Sequence, residues 1–361
     1  MSPKGPAIAS QVHQSPSTKA WSRRGMLGLS AGAAAGIAGV IGGAAHSAAE
    51  EAASSAGEIW SGEYWAVKER AGSEIKLALY RKRLGAPRPG AADRPVLFLV
   101  HGSSISARPS FDLSVPGHGE YSLMNVFARY GFDVWTMDHE NYGRSSRTET
   151  NSDIASGVDD LRAAVPVVTR ESGQSRLDFF GESSGALRAA GFAMAAPERV
   201  GRLVLSAFTW TGRGSPTLAK RGEALAFFRT HNRRPRDRDM IRSIFTRDKP
   251  GTSDPAVPEA LADAELVYGD TIPTGTYLDM TANLPVVDPH KVLSPVLIVR
   301  GEHDGIASVD DLLDFYKELP NPDRQFSILS GAAHALALSL DREKFWHVIH
   351  AFLTIPSRAG S

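Results

Sequence analysis

The run Val96-Leu97-Phe98-Leu99-Val100 is five apolar residues without a break. A strand wet on one face alternates apolar with polar side chains, so an unbroken run means burial on both faces, as inside a parallel sheet. The signature returns at 132–137, 177–180, 203–208 and 296–299, and Phe326, Ile328 and Leu329 suggest one more. Upstream, 64–67 and 75–84 also read as strands. In the second, Ile75, Leu77 and Leu79 alternate with Lys76 and later basic residues, which leaves one face wet.

Helical periods lie between these runs. Ile154, Val158, Leu161, Val165 and Val168 share one helical face, and Gly173 is placed to stop that helix. Ser308 with Asp311 has the spacing of a capping box that opens a helix through Leu319, and Pro320 ends it. Strand–helix alternation of this length predicts an α/β fold, a mostly parallel sheet flanked by helices. One stretch, 209–290, lacks a clear buried strand and reads as a helical insertion over the end of the sheet. It carries a run of arginines: Arg229, Arg233, Arg234, Arg236, Arg238, Arg242 and Arg247. Such a run can bind an anion. A solvated helix face paired with Asp237, Asp239 and Asp248 is the simpler expectation.

Composition removes several alternatives. Lys+Arg and Asp+Glu are both 40, so nothing in the overall charge points to nucleic acid as a partner. The count of cysteines is zero, which excludes disulfides, thiolate metal sites, a cysteine nucleophile and a cysteine-linked lipid anchor. No H-E-x-x-H or comparable cluster suggests a metal, and no lysine follows the glycines at 181–185 as in a phosphate loop, so no cofactor is expected.

The N-terminus reads differently from the rest. Residues 1–21 are rich in Pro, Ser and Gln. Ser22-Arg23-Arg24-Gly25-Met26-Leu27 then leads into a mostly Ala/Gly run. A paired arginine before a mildly apolar stretch is the twin-arginine export pattern, with small residues near Ala45–Ala49 for cleavage. Residues 1–49 are therefore expected to stand outside the fold, and the mature protein to be periplasmic or secreted after passing the twin-arginine translocation machinery. An uncleaved membrane anchor is the alternative.

Four segments carry chemistry. Gly181-Glu182-Ser183-Ser184-Gly185 follows one strand and opens an Ala-rich helix, the context that a G-x-S-x-G elbow requires. It makes Ser183 the candidate nucleophile and leaves the backbone N–H of Ser184 beside it as an oxyanion donor. His101-Gly102-Ser103-Ser104 follows the 96–100 strand, so the N–H of Ser103, or of Ser104, is the second candidate donor, while His101 itself is expected to be structural. Gly301-Glu302-His303-Asp304-Gly305 follows a third strand and offers Asp304 as the acid, with Glu302 and His303 as rivals. Gly331-Ala332-Ala333-His334 follows the last strand, and His334 is the candidate base. The order Ser…Asp…His, each after its own strand, is one of the known orders of a catalytic triad. Trp210, just beyond a strand end, and Ser104 are candidate pocket residues. Phe227, Phe228, Tyr268, Tyr277 and Met280 are expected mainly to pack the insertion.

Over roughly 63–354 the chain resembles the α/β-hydrolase superfamily. The resemblance rests on His101-Gly102, the elbow, Asp304, His334 and Asp138-His139-Glu140-Asn141-Tyr142-Gly143-Arg144-Ser145, which is similar to that family's D-x-x-G-x-G-x-S loop. Asn141 stands where glycine is usual, and Asn tolerates left-handed backbone angles. The resemblance implies an eight-stranded sheet with a cap inserted after strand six. That gives a core of 50–208 and 291–361 and a cap of 209–290. Serine at the elbow argues against the epoxide hydrolases and haloalkane dehalogenases of this fold, which use aspartate. The expected function is hydrolysis of a carboxylic ester or lactone of a small apolar, or aromatic, substrate through an acyl-enzyme. An amidase or C–C bond hydrolase on the same triad, and a binding protein that kept the fold, are the alternatives.

Overall fold

A computed structural model describes residues 57–356 except 89, 91 and 92. The paired arginines and the rest of 1–49 lie outside the described residues.

Eight strands form one sheet in the order β1-β2-β4-β3-β5-β6-β9-β10: β1 (Ile59–Arg70), β2 (Ser73–Leu84), β3 (Val96–Val100), β4 (Asp133–Met137), β5 (Leu177–Glu182), β6 (Val200–Ser206), β9 (Val296–Gly301) and β10 (Arg324–Leu329). The β1–β2 and β2–β4 pairings are antiparallel and the other five are parallel. The remaining strands, β7 (Arg233–Pro235) and β8 (Thr271–Pro273), pair with each other as a separate ribbon. Every strand anticipated in the main sheet is present. The β1–β2 hairpin is longer than its sequence pattern suggested, and β6 stops at Ser206 instead of reaching Phe208.

The unbroken apolar runs have the predicted cause. On β3, Val96, Phe98 and Val100 join one core, while Leu97 and Leu99 join the core on the opposite face. Strand β9 divides in the same way, with Val296 and Ile298 against Leu297 and Val299. Side chains alternate across a strand with period two, so both faces demand apolar residues when both are covered.

The covering helices are α1 (Ala107–Phe111), α2 (Leu123–Arg129), α3 (Ile154–Ser172), α4 (Ser184–Ala195), α10 (Val309–Glu318) and α11 (Arg342–Leu353). Helix α3 ends at Gly173, whose φ of 78° is left-handed. Helix α10 begins where the capping pattern placed it, with the Ser308 side chain accepting from the Asp311 amide. The reciprocal half of the box is absent, because the Asp311 carboxylate instead accepts from the backbone amides of Trp210 and Thr211. It fixes the exit of β6 rather than its own helix start.

Between β6 and β9 lie α5 (Pro216–Gly222), α6 (Leu225–Thr230), α7 (Arg238–Thr246), α8 (Ala256–Leu266) and α9 (Gly275–Leu278), together with the β7–β8 ribbon. The ribbon departs from the purely helical expectation. The arginine run departs too: Arg236 is buried in an ion pair with Glu265, while Arg238 and Arg242 pair with Glu259 of α8. Asp237 accepts from the Met240 amide and so caps α7 instead of pairing with an arginine. Only Arg242–Asp239 and Arg247–Asp248 follow the expected pairing.

Candidate active site

The β5–α4 junction holds Ser183 at φ 57° and ψ −123°. A side chain in that region is strained by about 1–3 kcal/mol and persists only where its surroundings impose it. They do so here. A Cβ on Gly181 would lie 2.5 Å from the Cα of Ala186 and the carbonyl oxygen of Gly185, and one on Gly185 would lie 2.1 Å from the Val100 carbonyl oxygen. The Ser183 amide donates to Ser206 O at 2.9 Å, which ties the elbow to β6. Ser184 is the first residue of α4, so its amide is among the donors that a helix start leaves without an intrahelical partner.

The β3 loop passes directly over this turn. A Cβ on Gly102 would sit 3.3 Å from that of Ser183. Ser103 is fixed from three sides: Tyr142 OH donates to its carbonyl at 2.9 Å, its Oγ donates to Ser184 Oγ at 2.7 Å, and Thr276 Oγ1 donates to that same Oγ at 2.8 Å. The two residues predicted to supply the oxyanion amides are thus held to one another through their side chains. Ser104 Oγ bonds Tyr277 OH at 2.6 Å. His101 is fully buried; its Nδ1 faces Gly102 O at 2.8 Å, and its Nε2 accepts from the His139 amide at 3.1 Å. Those partners assign a neutral ring with the proton on Nδ1. Burial, first, and then the neighbouring His139 push its pKa well below the usual value, in keeping with a structural histidine.

The loop after β4 supports the same corner. Asp138 accepts from Tyr80 OH and from the amides of Ala107 and Arg144. Asn141 takes φ 72°, the left-handed angle its chemistry allows in place of glycine. A Cβ on Gly143 would fall within 2.1 Å of the Asp138 carboxylate, so that position has no room for another residue.

Asp304 and His334 come from the loops after β9 and β10. Asp304 Oδ1 accepts from His334 Nδ1 at 2.9 Å and from the Ile306 amide at 3.0 Å. Arg300 Nη2 donates to the Asp304 carbonyl at 2.6 Å and holds the loop closed. Burial raises the Asp304 pKa, but the His334 ring and the Ile306 amide outweigh it, so the carboxyl stays below its usual range. The rival Glu302 turns to Ser330 Oγ and the Gly331 amide instead.

Ser183, His334, Ser103 and Ser104 line one cavity, and its apolar wall comes from Ile105, Phe245, Leu261 and Leu338. Trp210 does not join them. It lines a different cavity beside Pro285 and His290, because Asp311 holds its amide and its indole N–H donates to Val287 O at 3.0 Å. Of the other aromatic candidates, Phe228 and Tyr277 pack with Ile272 in a small cluster, with Phe227 against it.

The cavity also contains Glu182 and Arg221, to which the sequence pattern assigns no role, and Arg247 of the arginine run. Asp248 lies beside Asp304 and His334, the ligand-type atoms of the three falling within 4.8 Å of one another. Since Asp304 and His334 are already bonded to each other, the group is a His–Asp pair with a second carboxylate alongside. Arg221 had one available signal: it stands three residues after buried Leu218, on the inward face of α5.

Glu182 yields a prediction of its own. Burial, and secondarily the Asp304 charge, lift its pKa from an ordinary 4.5 to about 7. The folded protein keeps this proton between about 4.5 and 7, where the unfolded chain has released it. Stability therefore falls as pH rises through that window and levels off above it. Glu182→Gln removes this slope. Urea midpoints of the variant are expected to gain on wild type between pH 5 and 8, and parallel midpoint curves would show that Glu182 does not titrate there.

Such an arrangement can perform covalent acyl transfer. A serine held over a strand end, an imidazole oriented through Nδ1 by a carboxylate, and backbone amides at a helix start are its components. Among known proteins, the profile of the family described as "Serine aminopeptidase, S33" matches residues 117–341. A search of curated proteins finds no match. Solved structures of the same fold include a hydrolase from Pseudomonas aeruginosa PA01, with TM-score 0.58 and 18% identity over 81% of this chain and 98% of that one. They also include the 2-hydroxy-6-oxo-6-phenylhexa-2,4-dienoate hydrolase from Rhodococcus sp. strain RHA1, with TM-score 0.59 and 19% identity over 82% and 100%. A third is a thermophilic esterase from Thermogutta terrifontis, with TM-score 0.57 and 17% identity over 81% and 97%. At these identities the likeness speaks for the fold alone, whereas the profile match spans more than half of the chain: the protein belongs to the S33 serine aminopeptidase family of α/β hydrolases.

Proposed function

We propose that the protein is a serine hydrolase that cleaves a small carboxylic ester or lactone through an acyl-enzyme. The observation that carries this reading is the 2.9 Å His334–Asp304 bond, whose imidazole opens on the same cavity as the strained Ser183. His334 Nε2 takes the Ser183 proton as Oγ attacks the carbonyl carbon. The carbonyl oxygen becomes an oxyanion held by the amides of Ser184 and Ser103. The tetrahedral intermediate collapses, and the leaving alkoxide departs with the proton from His334. Water, deprotonated by His334, then attacks the acyl-enzyme, and the acid is released as Ser183 regains its proton. Asp304 keeps the Nδ1 proton in place and stabilises the imidazolium in both halves. The 209–290 segment acts as the cap that walls the pocket, with Ile244, Phe245 and Leu261 against the acyl group.

The family's description as a serine aminopeptidase favours amide cleavage as the second reading, on the same groups. The twin-arginine pattern at 22–27 supports export of the protein to the periplasm or beyond.

The test is covalent labelling. A fluorophosphonate is expected to add once to the mature protein by intact mass, with the adduct mapped to Ser183 by peptide analysis. Esters, lactones and anilides matched in acyl group then rank the leaving groups, and faster anilide than ester turnover would favour the amidase. A folded protein that takes no label would overturn the hydrolase reading.

A further inference from the structure

Two arginines, Arg221 and Arg247, and one acidic side chain, Glu182, line the cavity beside Ser183. Arg247 has a nearby carboxylate, with its Nε 3.6 Å from Asp248 Oδ2. Arg221 forms no ion pair among the described residues, and Asp248 acts on it only from a longer distance. Its Nη1 donates to Met280 Sδ at 3.9 Å, and its guanidinium lies 5.1 Å from the centre of the Tyr277 ring. A second guanidinium, that of Arg234, lies 5.0 Å from the same ring. The phenol of that ring bonds Ser104 in the β3 loop. Neighbouring arginines elsewhere in the segment are satisfied by acids: Arg236 by Glu265, and Arg238 and Arg242 by Glu259. Arg229, Arg233 and Arg234 form no ion pair among the described residues either, but of these unpaired guanidiniums it is that of Arg221 that lines the cavity of the candidate catalytic serine.

Arg221 is half-buried, and withdrawing a cation from water without a counter-ion is costly, a cost that a bound carboxylate would offset. Burial, and then the repulsion of Arg247, hold the Arg221 pKa down at about 10, with Tyr277 and Asp248 opposing them in part. The acidic side chain on the wall, Glu182, has its pKa raised to about 7 by burial, so at neutral pH it opposes the arginines only in part. The planar fork of an arginine matches the two oxygens of a carboxylate.

We propose that this cavity binds a free carboxylate of the substrate, with Arg221 as its principal partner and Arg247 as a second positive charge, so that the bond cleaved at Ser183 belongs to a small ester or lactone that is itself an anion. This rests on the hydrolase reading above and narrows its substrate class. The aromatic face of Tyr277 holds the guanidinium in place, and its hydroxyl couples that position to Ser104.

Two measurements separate this inference from the reading beneath it. The first compares the 4-nitrophenyl monoester of glutarate with the neutral 4-nitrophenyl valerate. Wild type is expected to favour the glutarate ester in kcat/KM. That preference should shrink about tenfold or more in Arg221→Gln and recover in part in Arg221→Lys, which keeps the charge but not the fork. The second needs no turnover. Calorimetry on the Ser183→Ala protein is expected to detect glutarate but not glutaramide, with affinity reduced about tenfold or more when Arg221→Gln is added. Loss of labelling and turnover alongside intact glutarate binding would remove the hydrolase reading and keep the anion site. Equal binding of glutarate with and without Arg221, or equal binding of glutaramide, would overturn the anion site, as would a folded protein that binds inorganic phosphate and ignores glutarate.

Discussion

Ser183→Ala and His334→Ala are each expected to lower kcat on an activated ester by about five to six orders of magnitude, and the double variant by no more than either alone. The reason is that nucleophile and base act as one unit. Without the imidazole the hydroxyl keeps its proton, and without the hydroxyl the imidazole has nothing to activate. Either loss leaves only the oxyanion amides and the bound geometry, which in such enzymes retain about 10³–10⁴ over water. The substitutions should act on chemistry and not on folding. Ser183 Oγ makes no hydrogen bond within the described residues, so its removal orphans nothing, and alanine meets the same φ of 57° as serine did. KM is expected to move little, because the proposed contacts of the acyl group are with the apolar wall and not with Ser183 Oγ. The measurement is steady-state kinetics on both single variants and the double, with thermal melts as the folding control. A Ser183→Ala protein within tenfold of wild type, or losses that multiply in the double variant, would remove Ser183 and His334 from the chemistry.

Much of the sheet was legible because burial on two faces leaves a mark that local reasoning can read. Runs such as Val96–Val100 have no polar position to spare, and the strand–helix alternation around them admits few layer arrangements. Gly173 and Ser308 were legible for another reason: helix ends depend on a single left-handed angle or a single side-chain acceptor. The elbow was legible because strain at Ser183 demands glycines at fixed positions on both sides. The 209–290 segment was much less so. Its ribbon is two three-residue strands, too short to show a period, and each ends in proline, which reads as loop. Its arginines read as a solvated face because their partners, Glu259 and Glu265, lie on α8, far off in sequence. Trp210 shows the same limit: proximity to a strand end suggested a pocket, but Asp311, about a hundred residues later, sets its direction. Arg221 carries no motif beyond its three-residue spacing from Leu218, and only the folded chain brings it to the cavity of the serine.

Asp304→Ala is expected to reduce kcat by about 10⁴, less than loss of the serine or the histidine, and Asp248→Asn by less than tenfold. Both carboxylates lie near His334, so the sequence order alone does not decide between them. Their hydrogen bonds do. Asp304 Oδ1 accepts the Nδ1 proton at 2.9 Å, while Asp248 Oδ1 accepts from Thr217 Oγ1 at 3.3 Å and its Oδ2 faces Arg247. Only the first can hold the ring's tautomer and face its developing positive charge directly. The alanine variant leaves the Ile306 amide without its acceptor, so a modest loss of stability should accompany the kinetic one. The two effects separate by pH. The native Asp304 carboxyl titrates below the usual range, so its contribution to stability is fully present at neutral pH and is lost as pH falls through its depressed pKa. The stability gap between wild type and Asp304→Ala should therefore close on acidification, while the gap in kcat at neutral pH stays near its full size at temperatures where both proteins are folded. If Asp248→Asn proved the more damaging substitution, the orienting acid would lie in the 209–290 segment, and closure of that segment over the sheet would itself complete the triad.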